Sequence, residues 1–214
     1  MKSAFFTSCV SVEEDISWLN SLSNFSDKYI TEAIENNKKK FINNKDFGLS
    51  HHSTPLTNDV NFLNFIKFIC KKSHKFLDDQ GYNLENYLLV IKDLWVQEFS
   101  KDGGGHHSTH THSNGHVSGF YFLKCSPKTS YPIFHDPRPG KMMIQLPEKD
   151  VKKITDASEK IPCSPKPGTF VLFNSYLGHE FSVDYGIEPF RFIHFNIQAV
   201  LKELINNDIK RISS

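Results

Sequence analysis

The sequence predicts a mainly β domain, a sandwich or barrel with helices packed on its outside. Two observations point there. Beyond residue 84, short apolar segments alternate with turn signals such as Pro137-Arg138-Pro139-Gly140 and Pro165-Lys166-Pro167-Gly168, and many phenylalanines lie in alternating runs toward the C-terminus. Ahead of that point, apolar residues recur at helical spacing instead. The 214 residues suit one domain, divided into a mostly helical support layer over 1–84 and a β core over 85–200.

The elements follow in order. Ser11-Val12-Glu13-Glu14 is a capping-box pattern, and Ile16, Leu19 and Leu22 continue it as a helix. Tyr29, Ile30, Ala33 and Ile34 predict a second helix, with Asn36 to Lys40 as its solvated end. The polar stretch from Gly48 to Thr57, broken by Pro55, predicts a loop. Residues 58–77 carry Val60, Leu63, Phe65, Ile66, Phe68, Ile69 and Phe76, a stripe wide enough to pack on a sheet, and Gly81 ends that helix. Tyr87 to Phe99 predicts one long strand or two short ones, and Lys101 to Gly105 a flexible turn or lip. Further strands are expected at 117–125, 132–135, 142–146, 169–174 and 190–200.

A formal net charge of +1 gives no global argument for nucleic acid or an anionic membrane. No apolar run approaches a membrane span, and the first ten residues lack the apolar core of a secretory signal. Cys9, Cys70, Cys125 and Cys163 form no CxxC pair, so they are expected to be reduced thiols of a cytoplasmic protein. The sequence holds no GxSxG motif and no Walker loop. The oligomeric state is not legible.

Five of the eleven histidines fall between His106 and His116. On a strand, residues two apart share a face, so His110 and His112 can take adjacent positions on one metal. His179, just after the apolar run Phe170 to Asn174, is the best third ligand. His106, His107 and His116 read as surface decoration. Neutral imidazoles suit Fe, Cu, Zn and Ni, so ligand type alone does not name the metal.

From Trp95 to Asn196 the chain resembles the iron(II)- and 2-oxoglutarate-dependent oxygenases, and most of all their prolyl-hydroxylase-like branch in bacteria and phages. Three blocks carry the resemblance. They are His110-Thr111-His112 followed by Ser118-Gly119-Phe120-Tyr121-Phe122-Leu123; Phe134-His135-Asp136-Pro137-Arg138; and Pro167-Gly168-Thr169-Phe170-Val171-Leu172-Phe173 with His179, Arg191 and Asn196. The resemblance implies a double-stranded β-helix, a jelly roll of cupin-like kind, with His110, His112 and His179 on Fe(II). It implies no catalytic side chain beyond the metal centre. Arg191 is expected to grip the far carboxylate of 2-oxoglutarate, with Tyr121 and Gln97 as further cosubstrate contacts. Molecular oxygen and an unidentified protein, peptide or small molecule complete the implied partners. One departure stands out: His112 occupies the position where the family usually has a carboxylate, and neither Asp136 nor Glu180 sits there instead.

Alternation along Arg191 to Val200 puts Arg191, Ile193, Phe195 and Ile197 on one face and Phe192, His194 and Asn196 on the other. If the first face lines the barrel, Arg191 needs an anionic partner there, since a lone buried charge is costly. Two other readings remain: a cupin-like three-histidine metalloenzyme that does not use 2-oxoglutarate, and a β-sandwich binding protein without activity. Arg191 separates the first of these from the oxygenase, and metal content separates the second.

Overall fold

A computed structural model describes residues 7–40, 46–113, 115–144 and 146–205. In chain order the elements are β1 (Val10–Glu14), α1 (Leu19–Lys40), β2 (Ser50–His52), α2 (Leu63–Asp78), β3 (Tyr87–Phe99), β4 (His107–His110), β5 (Val117–Lys124), β6 (Pro132–His135), β7 (Lys160–Pro162), β8 (Thr169–Asn174), β9 (His179–Phe181) and β10 (Arg191–Leu201). The strands form a six-stranded sheet, β1-β8-β5-β10-β3-β2, and a four-stranded sheet, β4-β9-β6-β7. Every pairing is antiparallel. Two antiparallel sheets behind a helical layer make the expected double-stranded β-helix.

The large sheet is buried on both faces. Its outer face gives Leu94, Val96, Val117, Tyr121, Leu123, Phe170, Leu172, Ile193, Phe195 and Ile197 to a core shared with the helices. Its inner face gives Phe99, Phe120, Phe122, Val171, Phe173 and Phe192 to a second core, closed by Phe134 and Phe181 of the small sheet. The predicted apolar stripe explains how α2 docks. Phe65 and Ile69 are fully buried, and the Phe65 ring meets Tyr121 at 5.3 Å between centroids. Each such side chain contributes roughly 1.5–3 kcal/mol by leaving water.

Several boundaries differ from the sequence reading. Residues 11–14 are not a helix start but part of β1, paired with β8. The cap is Asp15, whose carboxylate accepts the Ser17 N–H at 3.0 Å and opens a short turn, Ile16–Trp18, ahead of α1. The two expected N-terminal helices are one, because nothing between Leu22 and Tyr29 breaks the periodicity. The helix expected from residue 58 begins at Leu63, since Asp59 first caps a 3-10 turn over Val60–Phe62. Within the expected loop, Ser50–His52 forms the edge strand β2 against β3. In place of a strand at 142–146, Pro139–Met143 forms a 3-10 turn with proline at its start; residue 145 lies outside the described residues. The Lys101–Gly105 turn is tied down rather than free. The Gly103 carbonyl accepts from the Gly48 N–H at 2.8 Å, and the Gly104 N–H donates to the Asp184 carbonyl at 2.7 Å.

Candidate metal centre

His110 ends β4 and pairs in register with His179, which begins β9. His112 follows two residues past the end of β4, and its own N–H donates to the Ser175 carbonyl at 2.9 Å. Two strand ends and one tethered loop residue therefore converge. One ligand atom from each of the three imidazoles lies within 4.8 Å of the other two. Neighbouring atoms that each sit roughly 2.0–2.1 Å from one ion are about 3–3.5 Å apart, so a small inward shift of the rings would close the three on a metal.

The hydrogen bonds around the rings favour metal ligation. His110 Nδ1 lies 2.7 Å from the Ser108 carbonyl and His179 Nδ1 3.1 Å from the Leu177 carbonyl. A carbonyl only accepts, so both Nδ1 atoms carry the proton and both Nε2 atoms keep a lone pair for a metal. His112 Nε2 stands 3.2 Å from His179 Nε2. Burial pushes the His179 imidazole down to about 3 and that of His112 to about 4, with the neighbouring His110 lowering both further. The rings of His112 and His179 are thus neutral, the form that binds metal. Phe173, Phe120 and Phe134 pack behind His179, with ring centroids at 4.7, 5.7 and 6.2 Å. This donor set fits Fe(II) and other borderline divalent ions.

Neither alternative carboxylate joins the three. Asp136 is held by Arg138, whose guanidinium keeps that carboxyl below its usual range. Glu180 accepts from the Thr109 hydroxyl at 2.6 Å and from Lys160 at 3.1 Å.

The three residues expected to contact the cosubstrate divide. Gln97 projects from β3 into the barrel, where its amide nitrogen lies 2.6 Å from the Ser50 hydroxyl and 2.5 Å from His107 Nε2. Arg191 and Tyr121 do not face the barrel, which corrects the expectation for both. Arg191 shares the outer face of β10 with Ile193 and Phe195, under helix α1. There its guanidinium donates to Glu98, to Asp27 and, at 2.9 Å, to the Ser26 hydroxyl. The anionic partner that its burial demands is the protein itself. Tyr121 lies in the same helix-facing core, and its hydroxyl donates to the Asp15 carbonyl at 2.7 Å.

Residues to which the sequence reading gave no role in the site complete its barrel side. His194, 2 % exposed, lies against His112, at 4.6 Å, and Trp95, at 4.4 Å, with its ring tilted to both. His107 is not surface decoration: its ring lies parallel to His52 at 6.0 Å and meets His110 at 5.9 Å. Asn196 accepts from the Ser118 hydroxyl at 2.7 Å and donates to Asp93 at 3.0 Å. The parity of β10 was the available signal for His194; what was lacking was knowledge of which face met the barrel. Arg191 is the only buried lysine or arginine among the described residues. No buried lysine or arginine among the described residues therefore stands on the barrel side.

Comparison with known proteins agrees with this geometry. Residues 93–195 match the family described as "Putative 2OG-Fe(II) oxygenase". Among solved structures, a Pseudomonas putida prolyl-4-hydroxylase is similar with TM-score 0.52 and 12 % identity, over 89 % of this chain and 93 % of that one. AviO1 from Streptomyces viridochromogenes Tue57 is similar with TM-score 0.54 and 13 % identity, over 88 % and 89 %. The chain spans about half, 54 %, of a 2OG-Fe(II) oxygenase-family oxidoreductase from Burkholderia pseudomallei, at TM-score 0.40 and 14 % identity over 67 % of this chain. No curated protein matches the chain in sequence. No helix of the described residues is long and apolar enough to cross a membrane. The match over residues 93–195 and the three-histidine cluster make the chain similar to 2OG-Fe(II) oxygenases, on a prolyl-hydroxylase-like fold, and that family implies Fe(II) and 2-oxoglutarate as cofactors.

Proposed function

We propose that His110, His112 and His179 are the protein ligands of Fe(II), and that the reaction is hydroxylation of a protein or peptide side chain. The observation that carries the metal assignment is the convergence of three imidazoles, two of them with their tautomers set by backbone carbonyls. Three protein ligands leave about three positions of an octahedral ion open for a chelating 2-oxo acid and oxygen. Bound there, Fe(II) with a 2-oxo acid and O2 would supply the oxidising chemistry, one oxygen atom going to the substrate and the other to the carboxylate left when the oxo acid loses carbon dioxide. The chain's own part is to hold His112 and His179 neutral, fix the direction of the imidazoles, and wall the site with Phe120, Phe134 and Phe173 so that bulk water stays out.

A peptide substrate is supported by the surface beside the site. β6 pairs with β9 at Phe134 and His179, so the loop leaving β6 starts at the metal end of the barrel. That loop exposes Met143, Leu146, Val151 and Ile154 to solvent. An apolar patch there suits a chain laid across the mouth. Likeness in fold to a prolyl-4-hydroxylase makes a prolyl residue the first target to try. The three-histidine enzyme without 2-oxoglutarate remains the second reading, favoured by the outward position of Arg191.

The test is an anaerobic crystal soaked with Fe(II) and 2-oxoglutarate, with succinate release measured in parallel under oxygen. Iron on the three histidines with succinate formed is the expected result. Iron held elsewhere, or no succinate with any 2-oxo acid consumed, would overturn it.

A further inference from the structure

The three histidines of the metal centre are not held alike. His110 and His179 each give a ring proton to a nearby backbone carbonyl, Ser108 at 2.7 Å and Leu177 at 3.1 Å. His112 has no such contact among the described residues, where its side chain has only His179 within hydrogen-bond distance. It also lies beyond the end of β4, off the sheet. Its place is therefore set through its backbone, whose N–H donates to the Ser175 carbonyl at 2.9 Å. The Ser175 N–H donates in turn to the His116 carbonyl at 3.2 Å, so this one residue brackets segment 112–116 from both ends. The segment lies close on it: a Cβ at Gly115 would come 2.8 Å from the Ser175 hydroxyl oxygen.

Ser175 is itself fixed by its side chain. It is buried, the first residue after β8, in the turn that leads to His179. Its hydroxyl lies 2.9 Å from that of Ser118, the Ser118 hydroxyl lies 2.7 Å from Asn196 Oδ1, and Asn196 Nδ2 lies 3.0 Å from the Asp93 carboxylate. The donors and acceptors allow one direction only. A carboxylate accepts, so Asn196 turns its N–H to Asp93 and its carbonyl to Ser118. Ser118 gives its single proton to Asn196, so Ser175 donates to Ser118. The base of this chain is a row of directly opposed residues on three strands: Ser118 of β5, Asn196 of β10 and Asp93 of β3. Ser118 and Asn196 are buried, and a buried polar row that is fully satisfied stiffens what it holds.

We propose that the row Asp93, Asn196 and Ser118 is the positioning device for His112: through the Ser175 hydroxyl it fixes the turn whose carbonyl holds the His112 backbone at the metal. This rests on the metal assignment proposed above. None of the three is a ligand; they act through Ser175. Supporting contacts of this kind typically change metal affinity by about 10–100-fold. A charge effect is the competing account, because Asp93 opposes the lowering of the His112 imidazole by burial. Asp93→Asn separates the two, since it keeps an acceptor for Asn196 and removes the charge.

The experiment is competition titration of Zn(II) between a chromophoric chelator and the full chain, as wild type, Ser118→Ala, Asp93→Ala and Asp93→Asn, and with each alanine variant repeated in a His112→Ala background. Ser118→Ala should weaken Zn(II) binding by about tenfold or more, and Asp93→Ala should weaken it in the same direction. Asp93→Asn should bind within about twofold of wild type, the scatter expected when nothing is lost. In the His112→Ala background neither alanine should cost anything further, because the ligand it positions is gone. A general loosening of the fold would lower affinity in both backgrounds. The proposal is overturned if either alanine variant binds Zn(II) as wild type does, if Asp93→Asn is as weak as Asp93→Ala, or if the loss is as large without His112 as with it. Should urea denaturation show that Ser118→Ala does not fold, the partly exposed Asp93 and its cycle with His112 still decide. Unchanged Zn(II) affinity in His112→Ala alone is a separate result, which removes His112 from the metal and the proposal with it.

Discussion

Replacing Arg191 by methionine keeps most of the side-chain volume and removes its charge, and the consequence should appear in stability rather than in metal binding. The Arg191 side chain is 6 % exposed and its two acidic partners differ, Glu98 at 18 % and Asp27 at 62 %. Asp27 can return to water, so its share is at most about 1 kcal/mol. Glu98 is left mostly buried with its principal donor gone, which costs about 1–3 kcal/mol. The sum, about 1–4 kcal/mol, lies at or below the usual range for breaking a buried pair because one partner is exposed. Urea denaturation of the metal-free chain measures it as a shift in midpoint at unchanged slope. The double variant Arg191→Met, Glu98→Leu should recover a large part of the loss, since the stranded charge goes too. A loss below about 1 kcal/mol, or a double variant no better than the single one, would refute this account of the pair. The guanidinium also holds the Asp27 carboxyl below its usual range, so the loss should shrink as acid protonates that group.

Three other outcomes are expected. His179→Ala should lower Zn(II) affinity by about 100-fold or more in a competition titration, since losing a ligand should cost at least as much as losing its supporting shell, and an unchanged affinity would remove His179 from the metal. Gly119→Ala should destabilise by about 1–3 kcal/mol, because overpacking a strand forces side chains and backbone to shift. The added carbon would sit 2.3 Å from the Val171 carbonyl oxygen and 2.4 Å from the Phe195 ring, and an unchanged melting temperature would contradict that packing. Acid should destabilise the metal-free chain. Burial depresses His179 to about 3 and His107 and His112 to about 4, so the fold keeps them neutral where the unfolded chain binds protons. Their stabilising share is complete above the unfolded value of about 6.5 and is lost as pH falls from there toward about 4, at up to about 1.4 kcal/mol per pH unit for a ring as buried as His179. Urea midpoints at about pH 7 and about pH 5 check the sign, and a higher midpoint at the acid end would reverse it.

What the sequence determined by itself is what local periodicity and turn chemistry carry. The wide stripe of α2, the runs that became β5, β6, β8 and β10, and the shared parity of Arg191, Ile193, Phe195 and Ile197 could all be read from residue types and spacing. Spacing put His110 and His112 on one strand face, and the resemblance to the oxygenases added His179 to make the candidate set that converges in the structure. The three-residue strands β2, β7 and β9 are too short to show alternation, and only their partners make them strands. The face of β10 that lines the barrel could not be read either. A sheet covered by helices on one side and by a second sheet on the other is apolar on both, so hydrophobicity does not distinguish inside from outside. Tertiary structure decided that question, and with it the fate of two residues. Arg191 was turned toward helix α1, where Asp27 and Glu98 satisfy its charge, and His194 was turned toward the metal centre, where its Nε2 is left without a partner.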